Sequence, residues 1–517
     1  MTSELLFSNL ENLLITHEEL KRQVSLGAEK LQFLKDENAW LREQINELRR
    51  GQFGSRSERW ESQEQMSFLN EAELESTNPD EKSDEVSHEV KVSGYTKRVR
   101  GHREPLPKNL TREIIKIELP LAEQVSAEGL PLKVIGWEIS EKLKYTPAQI
   151  SVVEYHRAKY GVDSGDYVKT AKPLPSLIPQ GIATPELLAA IIIGKYGDGL
   201  PLYRMEEIFG RHGIELSRGS MARWVIKVAA ACRPIWNILA ERLHESFYVA
   251  VDETSVQVLK ETGRKAEAKS WMWVRSTPFG PQKIILFDYT TNRDGDIAQN
   301  LFLDYRGFLQ SDGLNIYEKT QNENVIRIGC NMHGRRGFEK AKVDGAKSGQ
   351  SLGEEGLVFY KKLYDLEEEI RGKDPDEKYK IRNEMAKPIW DQMKSWNDEN
   401  IKKVPKKSKI GQAVHYFANQ YELLIGYLQD GRLEIDNGFT ERAIRKFAIG
   451  RNNWMFSDTP EGADASSLLY SLVVTAKVNK VNLYKALVKI FTDLPMAEDL
   501  EHYERLAEVI LSPALTA

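Results

Sequence analysis

The stretch from Phe247 to Leu259 reads FYVAVDETSVQVL and predicts a β-strand with a carboxylate in its middle. Apolar and β-branched residues are typical of strands, and Gly263 marks the turn that follows. An Asp inside a strand is disfavoured and costly to bury, so Asp252, followed by Glu253, requires either a salt bridge in the core or a hard cation. For this stretch taken alone, a surface-facing acid on an edge strand is the simpler alternative.

Two further acids favour the cation. Asp312 ends a second hydrophobic stretch that begins at Phe308, and Glu441 closes an acidic cluster at the start of a predicted helix. Two acids from strands and one from a later helix are what a two-metal phosphoryl-transfer site requires, with metals roughly 3.5–4 Å apart. Carboxylate oxygens suit Mg²⁺ or Mn²⁺. Asp252, Asp312 and Glu441 are therefore the predicted catalytic residues and metal ligands.

Composition limits the class of protein. A chain of 517 residues predicts several domains, and the net charge of −5 means that any contact with nucleic acid must use local positive charge. The two cysteines, Cys232 and Cys330, exclude a disulfide framework and a multi-cysteine zinc site, and they fit a reducing compartment. No secretory signal and no apolar run long enough to span a bilayer are visible. We therefore expect a soluble cytoplasmic protein without a membrane partner.

The first hundred residues predict self-association and a flexible connection. Apolar heptads over residues 1–50 indicate a coiled coil, in which Asn38 is the polar seam residue that favours a parallel homodimer. An amphipathic helix that packs on its own chain is the alternative. Residues 51–109 indicate a disordered linker that is first acidic and then basic. Its basic arm, from Lys97 to Arg103, suits the minor groove of A·T-rich DNA, although a solvated linker has the same composition.

Two small domains are predicted next. Short strand-like segments over residues 110–172, among them Ile150–Tyr160, indicate a small β-rich module. Residues 173–245 indicate a helix-turn-helix DNA-binding domain, with Thr184 as the cap of its first helix and Ser217 at the start of its last. An ordinary helical hairpin would show the same pattern.

The element order after residue 245 predicts a ribonuclease-H-like α/β catalytic domain. Three consecutive strands, a helix and two more strands are typical of that fold. The domain is expected to occupy residues 246–352 and 431–460. Charge-rich helices over 353–430 indicate a helical insertion within it, and residues 461–517 predict C-terminal helices.

Cys330 and His333 have a spacing that could bind zinc. Because no second pair is near in sequence, we interpret them as structural or substrate-contacting residues. The β-rich module of residues 110–172 offers no cysteine and only His156, so zinc is not expected there either.

Ten arginines are predicted to contact DNA, because they lie in the basic arm, in the helix-turn-helix, or close in sequence to Cys330 and Glu441. They are Arg98, Arg100, Arg103, Arg218, Arg223, Arg335, Arg336, Arg442, Arg445 and Arg451.

Seven short motifs, spread along the chain, carry a family resemblance. They are Phe53–Glu58, Gly199–Arg204, Val251–Thr254, Gln310–Gly313, Cys330–Phe338, Asp436–Arg442 and Gly450–Trp454. Taken together, they resemble the transposases of the insertion sequence 66 family, from near the N-terminus to about residue 490. One departure is that members usually carry two Cys-x-x-Cys pairs where residues 110–172 have none.

The resemblance implies a bacterial, nucleoid-associated DDE transposase whose metal-binding triad is Asp252, Asp312 and Glu441. It also implies double-stranded DNA partners, namely transposon ends and target, and possible small accessory proteins of the same element.

The main functional hypothesis is a DNA transposase that cleaves strands at the element ends and transfers them to a target. A non-catalytic DNA-binding regulator, or a decayed transposase, is one alternative, and a ribonuclease-H-fold repair nuclease is another. Intact acids at all three positions argue against decay.

Overall fold

The computed structural model describes residues 150–161, 168–342 and 351–516, and the backbone alone of 88–92 and 95–99. The chain divides into two compact units, one within residues 46–154 and the other containing residues 155–517. The coiled coil predicted for residues 1–50 lies outside the described residues. Among the described helices, none is both long enough and apolar enough to cross a membrane.

Short hairpins occur in each unit. In the first, strands β1 (His88–Val92) and β2 (Tyr95–Val99) pair antiparallel, inside the stretch predicted as a linker. In the second, β3 (Lys159–Gly161) and β4 (Val168–Thr170) pair antiparallel. The strand predicted for Ile150–Tyr160 is wrong over residues 150–158, which have no regular structure and exposed side chains. Their β-branched composition favours a strand, but a strand also needs a partner and a buried face.

Within the described residues, four α-helices precede the main sheet, and local capping explains where two of them begin. The hydroxyl of Thr184 accepts the N–H of Leu187 at 3.3 Å, and that of Ser217 accepts the N–H of Ser220 at 3.2 Å. Gly213, with φ +75°, follows the second helix in a backbone conformation that favours glycine. The predicted helices at Thr184 and Ser217 are confirmed. The four are α1 (Pro185–Ile192), α2 (Leu202–Arg211), α3 (Arg218–Ala231) and α4 (Arg233–His244).

A five-stranded mixed sheet follows, in the spatial order β7-β6-β5-β8-β9. The first three strands in the chain are antiparallel neighbours, whereas β8 runs parallel to both β5 and β9. The predicted order of three strands, a helix and two strands is confirmed. These elements are β5 (Tyr248–Gln257), β6 (Lys269–Ser276), β7 (Ile285–Thr290), α5 (Gly295–Leu301), β8 (Gly307–Ser311) and β9 (Val325–Gly329).

The chain then forms α6 and a group of helices with its own apolar cluster. Trp390 and Phe417 stack with ring centroids 6.1 Å apart, and Tyr248 of β5 belongs to the same cluster. This group therefore packs on one face of the sheet. The helices are α6 (Asn331–Lys340), α7 (Leu352–Glu369), α8 (Pro375–Ile381), α9 (Lys387–Asn400) and α10 (Lys409–Leu424).

The last helices protect the edge strand β7, whose outer backbone groups would otherwise lack partners. The hydroxyl of Ser471 accepts the N–H of Phe287 at 2.8 Å. The hydroxyl of Thr475 accepts the N–H of Ile285 and donates to its carbonyl, both at 3.0 Å. The helices are α11 (Gly438–Trp454), α12 (Pro460–Val478), which carries both hydroxyls, α13 (Leu483–Asp493) and α14 (Leu500–Leu511).

Candidate metal and nucleic-acid site

Asp252, within β5, and Asp312, directly after β8, lie at matching positions on adjacent strands. The last pair between β5 and β8 joins Ala250 to Gln310, so each acid lies two residues beyond that pair. Neighbouring strands are about 4.7–4.9 Å apart, which brings the two acids to the same edge. Backbone N–H groups hold them there: Glu253 donates to Oδ1 of Asp252 at 2.9 Å, and a similar bond at 3.1 Å reaches Asp312.

The electrostatics show that the three predicted acids are close together. Burial raises the pKa of Asp252 well above its usual range, and the carboxylates of Glu253, Glu441 and Asp312 raise it further. Burial also raises the pKa of Asp312, and Glu441 adds to that effect. Neighbouring carboxylates oppose each other's ionisation, because two like charges repel. The structure therefore brings Asp252, Asp312 and Glu441 into one cluster.

Glu441 enters the cluster from the first turn of α11, which is fixed to the sheet by two hydrogen bonds. The side-chain N–H of Asn437 donates to the carbonyl of Val251 at 2.8 Å, and the hydroxyls of Thr440 and Ser276 lie 2.7 Å apart. Because Val251 immediately precedes the first acid, these contacts place the start of α11 beside that acid.

One oxygen of Glu441 is occupied and the other is not. Nη2 of Arg336, on α6, donates to Oε2 at 2.5 Å, and the Glu441 side chain is only 12% exposed. Oε1 is buried and has no hydrogen-bond partner in the described part of the chain. The sequence placed Arg336 among the phosphate ligands, whereas in the structure it donates to this carboxylate.

Glu253 is held by partners that the sequence analysis did not identify. Arg293 donates to Oε1 at 2.9 Å, and the hydroxyl of Tyr317 donates to Oε2. The guanidinium of Arg293 also lies over the ring of Trp271, 4.1 Å from its centroid. Burial nevertheless raises the pKa of Glu253, and the nearby Asp312 raises it too. No local pattern signals these contacts, because the partners lie 40 and 64 positions away.

Cys330 and His333, at the start of α6, also lie beside Glu441. The ligand atoms of the three residues are all within 4.8 Å of one another. Burial raises the pKa of the Cys330 thiol to about 12 and lowers that of His333, which favours the neutral ring. The sequence shows no third ligand near Cys330 and His333, because Glu441 is remote in sequence.

Half of the arginines predicted to contact DNA have exposed side chains. Arg451 differs: it donates to the hydroxyl of Thr254 at 3.1 Å and to the carbonyl of Ser255. It therefore braces the end of β5 through these two contacts. The exposed arginines are Arg218, Arg223, Arg335, Arg442 and Arg445.

The side chains of the basic arm, residues 97–103, lie outside the described part of the chain. Only the backbone of Arg98 is described, within β2, and Arg100 and Arg103 lie outside the described residues. The predicted contacts of these three arginines with DNA stay predictions.

Comparisons with known sequences cover both parts of the chain. A family model described as "Transposase IS66 family" matches residues 180–465, which include the three acids. A second, described as "Transposase C of IS166 homeodomain", matches residues 40–115. Uncharacterized protein y4qI of Sinorhizobium fredii is 32% identical over 473 residues, covering 87% of this chain and 86% of the relative. Uncharacterized protein y4hP of the same organism is 28% identical, covering 85% of this chain and 82% of the relative.

Proposed function

Because the chain belongs to the insertion sequence 66 family of transposases, we propose that it cleaves DNA strands at the ends of its element and transfers them to a target. The observation that carries this proposal is the convergence of Asp252, Asp312 and Glu441 in a cluster where burial, and then the neighbouring carboxylates, raise the pKa of Asp252 and Asp312. Acids with strongly raised pKa values in one cluster are typical of functional sites.

The sheet supports a ribonuclease-H-like catalytic domain over residues 246–352 and 431–460. Three antiparallel strands lead into two parallel ones, and the first and fourth strands present the first two acids. The third acid arrives on α11 after the helical insertion of residues 353–430. The C-terminal helices of 461–517 complete the domain by covering its edge strand.

The cluster fits a hard divalent cation. Asp252, Asp312 and Glu441 offer only oxygen atoms, which Mg²⁺ and Mn²⁺ prefer. Oε1 of Glu441 is buried without a hydrogen-bond partner among the described residues, as expected for an atom that accepts a cation. When bound there, Mg²⁺ or Mn²⁺ would activate the attacking oxygen and stabilise the leaving oxygen of the phosphodiester.

The protein's own groups would orient the acids and the DNA. Arg336 fixes Glu441 through Oε2 and leaves Oε1 for the cation. Arg335, Arg442 and Arg445 are exposed on the same two helices, where their charge would hold phosphates close to the acids.

DNA ends would be bound by the helix-turn-helix of residues 173–245 and by the basic arm. The family match over residues 40–115, with its homeodomain description, supports DNA contact by the arm. Zinc is not expected to hold the module of residues 110–172. The arginines proposed for end binding are Arg98, Arg100, Arg103, Arg218 and Arg223.

Pairing of two ends would be achieved by a homodimer formed through the coiled coil of residues 1–50. The protein would act in the bacterial nucleoid, together with small accessory proteins of the same element.

The test is cleavage of DNA that carries the element's terminal sequence. Asp252→Ala, Asp312→Ala and Glu441→Ala should each abolish Mg²⁺-dependent cleavage and leave binding of the same DNA close to wild type. The matched control is Asp464→Asn, which changes an exposed acid paired with Arg233 and should cleave normally. Normal cleavage by Asp312→Ala would remove that residue from the site. Cleavage without joining of 3′ ends to a second DNA would instead support a nuclease.

A further inference from the structure

Two polar atoms face each other across a gap beside the acidic cluster. Nδ1 of His333 lies 3.9 Å from Oε1 of Glu441, which is beyond hydrogen-bond length. Both atoms are buried, and neither has a hydrogen-bond partner in the described residues. Buried polar atoms are normally satisfied, so a facing pair of unsatisfied atoms needs a reason.

The thiol of Cys330 is the third possible metal ligand beside these two atoms. Cys330 contributes Sγ to the same group of atoms, within 4.8 Å of the other two ligand atoms. The N–H of Asn437 donates to this sulfur at 3.3 Å, which orients it. On tetrahedral zinc, with bonds of about 2.0–2.3 Å, two ligand atoms lie roughly 3.3–3.6 Å apart. Small side-chain movements would therefore bring all three atoms to bonding distance.

We propose that Cys330, His333 and Glu441 form a site for a borderline-soft divalent cation such as Zn²⁺. Thiolate and imidazole select such cations over Mg²⁺, which takes oxygen ligands. Three protein ligands with an open fourth position are typical of zinc sites that keep a bound water. The absence of a second cysteine pair does not exclude this site, because the fold supplies the third ligand from α11.

Glu441 belongs to both ligand sets. Because Arg336 donates to Oε2, only Oε1 of Glu441 remains to coordinate a metal ion. A cation bound by Cys330 and His333 would use this oxygen, which the proposed Mg²⁺ site also uses. Zn²⁺ would therefore inhibit the reaction by competing for one carboxylate oxygen. The binding of Zn²⁺ stands without the proposed function, whereas this inhibition rests on it.

Titration of the full-length, metal-free protein with Co²⁺ tests the binding. A cobalt–thiolate bond gives a sulfur-to-metal charge-transfer band in the near ultraviolet, and the chain has two cysteines, Cys232 and Cys330. The band should appear with wild type and be lost in Cys330→Ser. Cys232→Ser, the matched control in another buried cysteine, should keep it. No band with wild type, or loss of the band in Cys232→Ser instead, would overturn the proposal.

A second variant guards against misfolding of Cys330→Ser. His333→Gln keeps the thiol and should raise the Kd for Co²⁺ at least about 10-fold, since even outer partners of metal sites are worth that much. Far-ultraviolet circular dichroism should match wild type for each variant used. An unchanged Kd in a folded His333→Gln protein would remove the histidine and with it the site.

The competition is tested by cleavage in Mg²⁺ with Zn²⁺ added. Wild type should be inhibited, and Cys330→Ser should resist at the same Zn²⁺ concentration. Equal inhibition of the two proteins would show that Zn²⁺ does not act through this thiol. If the protein cleaves no DNA under any condition, the proposed function fails while the Co²⁺ titration still decides the site.

Discussion

Two clusters of buried charge share the central sheet and differ in their balance. On β6 and β7, Arg275 and Asp288 form a two-pronged pair with both N–O distances at 2.9 Å and side chains only 4% and 12% exposed. At β5 and directly after β8, Asp252 and Asp312 lie with Glu441, and burial together with these like charges raises the pKa of Asp252 and of Asp312. The first cluster is neutral within the chain, whereas the second has a negative excess. The difference indicates that the first cluster serves the fold, and it agrees with the proposal that the second binds a divalent cation.

The largest expected effect on the free energy of unfolding comes from removing the charge of Arg275 from its pair with Asp288. Arg275→Met leaves Asp288 buried without its partner and should lower the free energy of unfolding by about 3–5 kcal/mol. Urea denaturation followed by circular dichroism measures the change. The control, Arg505→Met, removes an exposed i,i+4 pair with Glu501 and should cost less than about 1 kcal/mol. A loss for Arg275→Met as small as the control's would contradict the comparison.

Adding Mg²⁺, the cation proposed for the acidic cluster, should stabilise the folded protein. At a Mg²⁺ concentration 100 times its Kd, the free energy of unfolding of wild type should rise by about 2.7 kcal/mol, because the metal binds only the folded state. Asp252→Asn should show little of this gain, and Asp464→Asn should show all of it. Thermal unfolding with and without Mg²⁺ provides the measurement. Equal gains in wild type and Asp252→Asn would mean that Mg²⁺ binds elsewhere.

Removing one negative charge from the acidic cluster should stabilise the metal-free protein. Asp252→Asn keeps the shape of the side chain and ends its repulsion with Glu253, Glu441 and Asp312. We expect a gain on the order of 1 kcal/mol, the usual size of a stabilising substitution, together with loss of cleavage. Denaturation in a chelating buffer measures the gain. A less stable Asp252→Asn protein would show that this carboxylate contributes to the fold.

The last expected effect is on the pH dependence of stability. The pKa of Asp252 is raised in the folded state, so between its usual value near 3.8 and the raised value the folded protein binds more protons than the unfolded chain. Without metal, stability should therefore fall as pH rises through that window. Asp252→Asn should flatten this slope by less than about 1.4 kcal/mol per pH unit, the limit for one proton. An identical slope in both proteins would exclude this residue as its source.

Local chemistry explains what the sequence predicted well. Thr184 and Ser217 cap their helices through atoms three residues away, and the apolar, β-branched composition of β5 is a property of consecutive residues. The predicted strand at Ile150–Tyr160 shows the limit of such reasoning, because composition does not say whether a partner strand exists.

The arrangement of the site depends on contacts that no short pattern contains. Arg336 and Glu441 are 105 positions apart, and their bond exists only because α6 and α11 meet beside β5. The sequence named both residues but assigned the arginine to phosphate. It gave Arg293 and Tyr317 no role, because nothing near either residue indicates that Glu253 lies beside it. Residue types were predictable from the chemistry, and their partners were set by the fold.

The helical insertion between β9 and α11 also sets a delay during synthesis. Glu441 leaves the ribosome 189 residues after Asp252 (441 − 252 = 189). At roughly 5–20 residues per second, translation of that length takes about 10–40 s. Once Asp312 has emerged, the nascent chain would display two of the three acids and the proposed helix-turn-helix for the remaining 129 residues (441 − 312 = 129), so it would engage DNA near its own gene before the proposed metal site is complete. Translation itself would thus separate the time of binding from the time of cutting.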